Sequence, residues 1–184
     1  VYKRQVDEYL LSTAFDVSTA TFDSEFFISG QEKRANSIAF NNDGTRMVVA
    51  GVGNSSQARI HEYSLSTGFD LSSTVTHLNT QDLISFQNHI DGVTFNYDGT
   101  KMYTITTMSE AQDLMNQFKL TTPYDVSTLS LEGTYTVSSV SVSSREVVFS
   151  NDGSKMFIID DSPLDNSNNK VHEFNLSCNW SVID

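Results

Sequence analysis

The sequence holds one cysteine and two prolines in 184 residues. With Cys178 as the lone thiol, an internal disulfide and a paired-cysteine metal site are both excluded. Basic residues are scarce: 11 Lys and Arg stand against 23 Asp and Glu, a formal charge of −12. Such a surface repels phosphate backbones, so nucleic acid is not an expected partner. A cationic partner or a salty medium suits it better. No apolar run approaches the roughly 20 residues of a membrane span. HExxH, GxSxG, P-loop and Rossmann patterns are all missing. What is present is 38% hydrophobic and 11% aromatic residues, enough for a packed core in one domain of ordinary size. Abundant Ser, Thr and Asn with little Lys fit a secreted or cell-surface protein.

The first five residues, VYKRQ, resemble the translated end of a transposon-based sequencing adapter of the kind seen in metagenomic assemblies. Residues 1–5 are therefore set aside and the fold is read from residue 6. The final CNWSVID stops inside a repeated phrase, so the chain is read as a fragment of a longer protein.

Two phrases alternate along the chain. The first runs aromatic, x, x, Asp-Gly, Thr/Ser, Lys/Arg, Met: FNNDGTRM from Phe40, FNYDGTKM from Phe95 and FSNDGSKM from Phe149. Its glycines, Gly44, Gly99 and Gly153, are 55 and 54 residues apart. The second reads EYLLSTAFDVS from Glu8, EYSLSTGFDLS from Glu62, QFKLTTPYDVS from Gln117 and EFNLSCNWSV from Glu173. Its aromatics Tyr9, Tyr63, Phe118 and Phe174 stand 54, 55 and 56 apart. A fixed period of this length means one supersecondary unit reused, as in propeller blades or similar arrays.

Within a unit the pattern predicts four short strands, at 36–40, 46–51, 59–65 and near 73–80. Asp-Gly between two apolar runs is a hairpin signal, because Gly accepts the left-handed backbone that the turn demands. The pairs Asp43 with Gly44, Asp98 with Gly99 and Asp152 with Gly153 are therefore read as structural turns. Calcium is the other use for these acids, but its loops stack acids at alternate positions, and here each Asp stands alone. Ser, Thr and Asp in the second phrase bond local backbone amides. Strand pairs such as Val48 and Val49, or Ile158 and Ile159, place apolar residues on both faces, as a sheet between two other sheets requires. Residues 109–119 have helical propensity, yet the repeat register assigns them to a loop and a third strand. The fold expected is all-β: a partial β-propeller of four-stranded antiparallel blades with a repeat of about 55 residues. Residues 6–30 would end one blade, 36–80 and 91–136 would form two more, and 145–184 would form part of another.

The FNNDGTRMVV, FNYDGTKMYT and FSNDGSKMFI hairpins resemble those of bacterial TolB-like and YVTN-type β-propeller repeats, with Asn42, Tyr97 and Asn151 where that family has Pro. The LSTAFDVSTA phrase resembles repeats in large surface or secreted proteins of marine microbes. The resemblance covers the chain from Val6 and speaks to fold far more than to function.

Residues shared by every repeat serve the fold. The recurring aromatics Phe15, Phe69, Tyr124 and Trp180 are read as packing residues, and Met47, Met102 and Met156 as core. Cys178 replaces Thr13, Thr67 and Thr122 of the other repeats, either as one small residue for another or as a partner for a thiol outside this chain. His61 and His172 share a register with Asp7 and Asn116, which suggests a surface role; His77 stands isolated. A ligand site is expected where repeats diverge, at the entry of each first strand, which lines the channel of a propeller. Asn36, Ser37, His89, Asp91, Arg145 and Glu146 form that candidate rim. The loops 54–57, 108–113 and 161–169 vary most and would shape a binding face. No catalytic residue, metal ligand or cofactor is assigned, with calcium the one ion worth considering. The reading is a non-catalytic binding or adhesion module of a larger exported protein, taking a protein or glycan, alongside further blades of the same chain. The alternative is a lactonase- or quinoprotein-like propeller enzyme with Asp91, His89 and Glu146 at the channel mouth. A structural stalk is a third possibility.

Overall fold

In the computed structural model, which describes residues 4–52, 57–107, 113–137, 143–161 and 169–183, thirteen strands form four antiparallel sheets. The first sheet pairs β1 (Gln5–Leu11) with β2 (Ala20–Phe27). The second is a meander of β3 (Ala35–Phe40), β4 (Arg46–Gly51), β5 (Arg59–Leu65) and β6 (Val75–Asp82). The third repeats it with β7 (Gly92–Phe95), β8 (Lys101–Thr107), β9 (Asp113–Leu120) and β10 (Leu129–Thr136). The fourth comprises β11 (Ser144–Phe149), β12 (Lys155–Asp160) and β13 (Lys170–Asn175). β1 begins at Gln5, inside the adapter-like stretch, and the Arg4 carbonyl accepts from the Ile28 N–H at 2.9 Å. The only helical turns among the described residues are Val17–Thr19 and Val126–Thr128. No helix there is long and apolar enough to cross a membrane.

β4 and β5 begin and end at the positions the repeat predicts. The helix-prone stretch becomes strand β9 from Asp113 onward, because pairing with β8 and β10 overrides weak local propensity. The fourth strand starts two residues late, at Val75, because the turn before it runs on. The Ser66 N–H bonds the Thr74 carbonyl at 3.0 Å, and the Ser73 hydroxyl bonds the Asp70 carbonyl at 2.6 Å.

The two phrases meet in space, and this explains why they travel together. Gly44, Gly99 and Gly153 have φ of 72°, 71° and 71°, a region that costs a residue with a Cβ roughly 1–2 kcal/mol. On each lies the aromatic of the second phrase. A Cβ on Gly99 would stand 2.3 Å from the Tyr124 ring, and one on Gly153 2.2 Å from the Trp180 ring. The aromatics are themselves left-handed: Phe69, Tyr124 and Trp180 have φ of 57°, 60° and 59°. That conformation aims each backbone N–H at the glycine carbonyl, at 3.1, 2.9 and 2.9 Å. Phe15 has the same backbone, φ 63°, but no such turn ahead of it. It is 98% exposed, so the packing role read from sequence fails for Phe15, whereas Phe69, though 53% exposed, packs on Phe40, Tyr124 on Phe95 and Trp180 on Phe149.

Three apolar clusters fill the spaces between successive sheets. Met47, Met102 and Met156 sit in them, almost wholly buried, as their register predicts. Burying a side chain of this size is worth about 1.5–3 kcal/mol each. The acids of the turns stay at the surface. Asp43 accepts from the Thr45 N–H and hydroxyl at 3.0 and 2.6 Å, and Asp98 from the same groups of Thr100 at 2.9 and 2.5 Å. Asp152 is held by the Ser150 and Ser154 hydroxyls at 2.7 and 2.8 Å and by the Ser154 N–H at 3.0 Å. These bonds, the hydroxyl first, hold all three carboxyls below their ordinary range, Asp152 to about 2.

Candidate functional site

The first strands β3, β7 and β11 lie side by side, and their entries bring the predicted rim residues together. Register slips place one extra residue in β3, between Ala35 and Ser37, and one in β11, between Ser144 and Glu146. Those extra residues are Asn36 and Arg145. A bulge re-aims the side chains beside it, and each of these two reaches toward β7. Asn36 Nδ2 donates to the Ile90 carbonyl at 2.8 Å, and Arg145 Nη1 stands 3.7 Å from Asp91 Oδ1.

Asp91 gathers further partners. Its Oδ2 accepts from the Thr107 N–H at 2.9 Å and lies 3.0 Å from His89 Nε2. Arg145 also reaches Asp161, Nε to Oδ2 at 3.5 Å. One residue further along each strand stand Ser37, Gly92 and Glu146, three repeats of a single register. The missing side chain at Gly92 lets Glu146 cross β7: a Cβ there would stand 2.5 Å from Glu146 Oε1. Glu146 thus accepts the Ser37 hydroxyl at 3.2 Å, across 109 residues of sequence. Its other oxygen takes the Val147 N–H at 3.1 Å, while Ser37 Oγ accepts from the Val93 N–H at 3.1 Å. Burial pushes the Glu146 carboxyl upward and the charge of Asp91 adds to this, while the Val147 N–H and the Ser37 hydroxyl oppose it.

From Glu146 a cleft of about 380 Å³ runs along the first strands. Ile38, Val93 and Val148 form its floor, and Asn42, Tyr97 and Asn151 its far lip. Tyr97 is 71% exposed, and its carbonyl is fixed by Asn42 Nδ2 at 2.8 Å and the Tyr124 hydroxyl at 2.6 Å. Sequence reasoning noticed Tyr97 only as a replacement for proline. Its place on a hairpin tip beside the first strand was the signal available. The variable loops 54–57, 108–113 and 161–169 fall almost entirely outside the described residues.

A second polar cluster corrects the surface role read for His61. That ring is buried, 3.7 Å from Glu32 through Nε2 and 2.9 Å from the Thr80 hydroxyl through Nδ1. His77, read as isolated, reaches the same hydroxyl at 3.1 Å and packs against Tyr63 and His61. Burial, then the neighbouring His61, lowers the His77 pKa. Of the register shared by Asp7, His61, Asn116 and His172, His61 and Asn116 are buried among internal partners, His172 is half-buried with Asp160 at 3.6 Å, and Asp7 is exposed. Among the described residues no group of three or more His, Cys, Asp and Glu side chains is placed to hold a metal ion. Cys178 is free and exposed.

No protein-family model matches this chain, and no curated protein matches its sequence. Solved structures do. The chain is similar to a 6-phosphogluconolactonase candidate of Bacteroides fragilis, with a TM-score of 0.54 and 13% identity over 94% of this chain and 49% of that one. It is also similar to a chain of a nidogen/laminin complex, with a TM-score of 0.57 and 10% identity over 94% of this chain and 55% of that one. The fold is β-propeller-like. At such identities the likeness extends to architecture alone, and the chain spans about half the length of these solved structures.

Proposed function

We propose that this chain is a non-catalytic binding module of a larger exported propeller protein. It would hold an apolar segment of a partner protein in the cleft along its first strands. The observation that carries this reading is the state of the rim. Among the described residues the two rim acids are held by neighbours: Asp91 by His89 and the Thr107 N–H, Glu146 by Ser37 and the Val147 N–H. Ser37 has no histidine beside its hydroxyl to act as a base, as an activated nucleophile needs. Beside this closed network lies an open cleft, with Ile38 and Val148 41% and 51% exposed on its floor. A cleft of a few hundred Å³ with apolar side chains on its floor and polar groups around its lip has the size and mixed lining of a ligand site. The likeness to a chain from a nidogen/laminin complex adds a precedent for this architecture in a protein assembly.

Panning a random peptide library against the purified chain, with an Ile38→Asp, Val148→Asp variant as counter-selection, tests the reading. Peptides that bind the parent and not the variant are expected. Binding confined to glycans and abolished by Tyr97→Ala would replace the partner class. Hydrolysis of a lactone panel that disappears in Glu146→Gln would overturn the non-catalytic reading.

A further inference from the structure

Where a backbone donor is left over between two sheets, this chain supplies a side-chain acceptor for it. At the joints between successive sheets Glu8 Oε2 takes the Leu71 N–H at 2.6 Å, Glu62 Oε2 the Val126 N–H at 3.2 Å, and Gln117 Oε1 the Val182 N–H at 3.0 Å. On the first strands Ser37 Oγ takes the Val93 N–H and Glu146 Oε1 the Val147 N–H, both at 3.1 Å. Two residues further along β7 and β11 the supply stops, and it stops in the cleft.

The hairpin bonds show which way the backbone points there. Opposed residues of an antiparallel pair alternate between exchanging hydrogen bonds and turning their N–H and C=O groups outward. The Asn96 N–H bonds the Lys101 carbonyl at 3.1 Å, so the next bonded pair in the register of β7 with β8 is Thr94 with Tyr103. Val93 and Phe95 therefore direct their backbone groups away from β8, as the Ser37 bond to Val93 confirms. The Ser150 N–H on the Lys155 carbonyl, at 3.0 Å, fixes the same direction for Val147 and Phe149 of β11. Residues 38–40, 93–95 and 147–149 all line the cleft. A strand turning one face to it would contribute every second residue, so the cleft is lined by strand edges. Among the described residues nothing bonds the Phe95 N–H or the carbonyls of Val93 and Phe95. β7 has β3 on one side and β11 on the other, so this free edge lies inside the array and away from its ends.

The charge around that edge has one sign. Among the described residues Glu146 is the one charged side chain lining the cleft. Asp43, Asp98 and Asp152 follow the lip residues Asn42, Tyr97 and Asn151, and their hydroxyl bonds keep them ionised at neutral pH. The bases of the same hairpins, Arg46, Lys101 and Lys155, are each paired with a glutamate.

Taking the cleft as the binding site argued above, we propose that its occupant is a basic peptide segment in extended form, added as a strand to the free edge of β7. Its backbone bonds both the N–H and the carbonyl of Phe95 and reaches the carbonyl of Val93. Its apolar side chains lie beside Ile38 and Val148, and its lysines or arginines answer Glu146 and the acids of the lip. An open strand edge is a template for such pairing, with main-chain bonds giving affinity and side chains giving selection. β7 has four residues, so the strand it accepts spans about 13 Å.

The test is an NMR titration of the nitrogen-15-labelled chain with four blocked hexapeptides. The first alternates Val and Lys, and the second has Glu in place of every Lys. The third and fourth are the first peptide N-methylated on its Val or on its Lys nitrogens, which lie on opposite edges of an extended strand. The Lys peptide is expected to slow amide-hydrogen exchange at Phe95 about tenfold when present at about ten times its Kd, while Thr94, already bonded within the sheet, stays unchanged. The Glu peptide should bind about tenfold more weakly. One N-methylated peptide should lose about tenfold in affinity, because two main-chain bonds go, and the other should bind as the parent does. Equal affinity of the two N-methylated peptides, retained or lost, overturns the proposal, and so does a Glu peptide that binds as tightly as the Lys peptide. Binding that Ile38→Asp with Val148→Asp abolishes, without slowed exchange at Phe95, keeps the cleft as the site and overturns the added strand. If none of the four peptides shifts a cleft residue the proposal falls, and the library panning then decides separately whether the cleft binds at all.

Discussion

Replacing Gly99 with alanine is the sharpest perturbation of the repeat. Placing a Cβ at φ 71° costs about 1–2 kcal/mol from backbone strain alone. The new methyl then meets the Tyr124 ring at 2.3 Å, where carbon atoms rest at about 3.5–4.0 Å. The ring has little freedom to yield. Its N–H bonds the Gly99 carbonyl at 2.9 Å, its hydroxyl bonds the Tyr97 carbonyl at 2.6 Å, and Phe95 packs edge-on at 5.2 Å. Forced overpacking adds about 1–3 kcal/mol, for a total near 3 kcal/mol. In a chain of this size that lowers Tm by roughly 6–12 °C.

A second background separates the two contributions. In Tyr124→Gly the ring is gone, and the same Gly99→Ala change should cost only the backbone strain. The double-mutant cycle should therefore show a coupling of about 1–2 kcal/mol. Thermal and urea unfolding can be followed by far-ultraviolet circular dichroism and by Trp180, the single tryptophan, which sits in the turn after β13 and packs on Phe149. Gly30→Ala is the control, since nothing lies within 4 Å of its added carbon, and it should fall within about 0.5 kcal/mol of the parent. A Gly99→Ala cost below about 1 kcal/mol, or an equal cost in both backgrounds, would refute the idea that the glycine exists to seat the aromatic.

Glu62 is buried and holds Arg46, Asn79 Nδ2 at 2.7 Å and the Val126 N–H. Glu62→Ala should cost about 1–3 kcal/mol in urea unfolding, because it leaves the buried Val126 N–H unmet while Arg46, about a third exposed, keeps access to water. Glu62→Gln should cost clearly less, because Gln117 shows that an amide oxygen serves the same joint. The depressed Asp152 pKa means stability present at neutral pH and lost as pH falls from about 4 to about 2. Asp152→Asn should remove that part of the acid-unfolding slope. Glu146 behaves oppositely: its raised pKa favours the fold below that value and the contribution is lost as pH rises through it. Ser37→Ala, which deletes a bond favouring the charged form, should move the Glu146 carboxyl titration further up by NMR.

How much of this was legible depends on the range of each interaction. Strands β4 and β5 could be placed from the chain because each is an apolar run bounded by a turn of specific chemistry, all within about fifteen residues. The left-handed aromatics could not. A positive φ is normally sought at Gly, Asn or Asp, and nothing local marks Phe69 or Tyr124; the glycine that makes room is about 25 residues earlier. The burial of His61 escaped for a related reason. Its register holds Asp7 and Asn116 elsewhere, which reads as surface, yet Glu32 and Thr80 supply partners that only the folded sheet brings near. The bulges at Asn36 and Arg145 left no mark in the pattern either, since one extra residue in a short strand resembles an ordinary start.

The joint register and the first-strand register diverge for different reasons. Glu8, Glu62, Gln117 and Glu173 vary only between acid and amide, because three of them satisfy a backbone N–H of the next sheet. Leaving a buried donor unmet costs about 1–3 kcal/mol, so an acceptor oxygen is obligatory there. At the entry of the first strands Ser37, Gly92 and Glu146 share no chemistry at all. Ser37 takes the Val93 N–H and bonds Glu146, and Gly92 leaves the room through which Glu146 passes, so the three unlike residues make one contact that links three sheets. A change at any one of them alters that single contact, whereas the acceptor oxygen is needed again at every joint, and losing it loosens the sheet that follows.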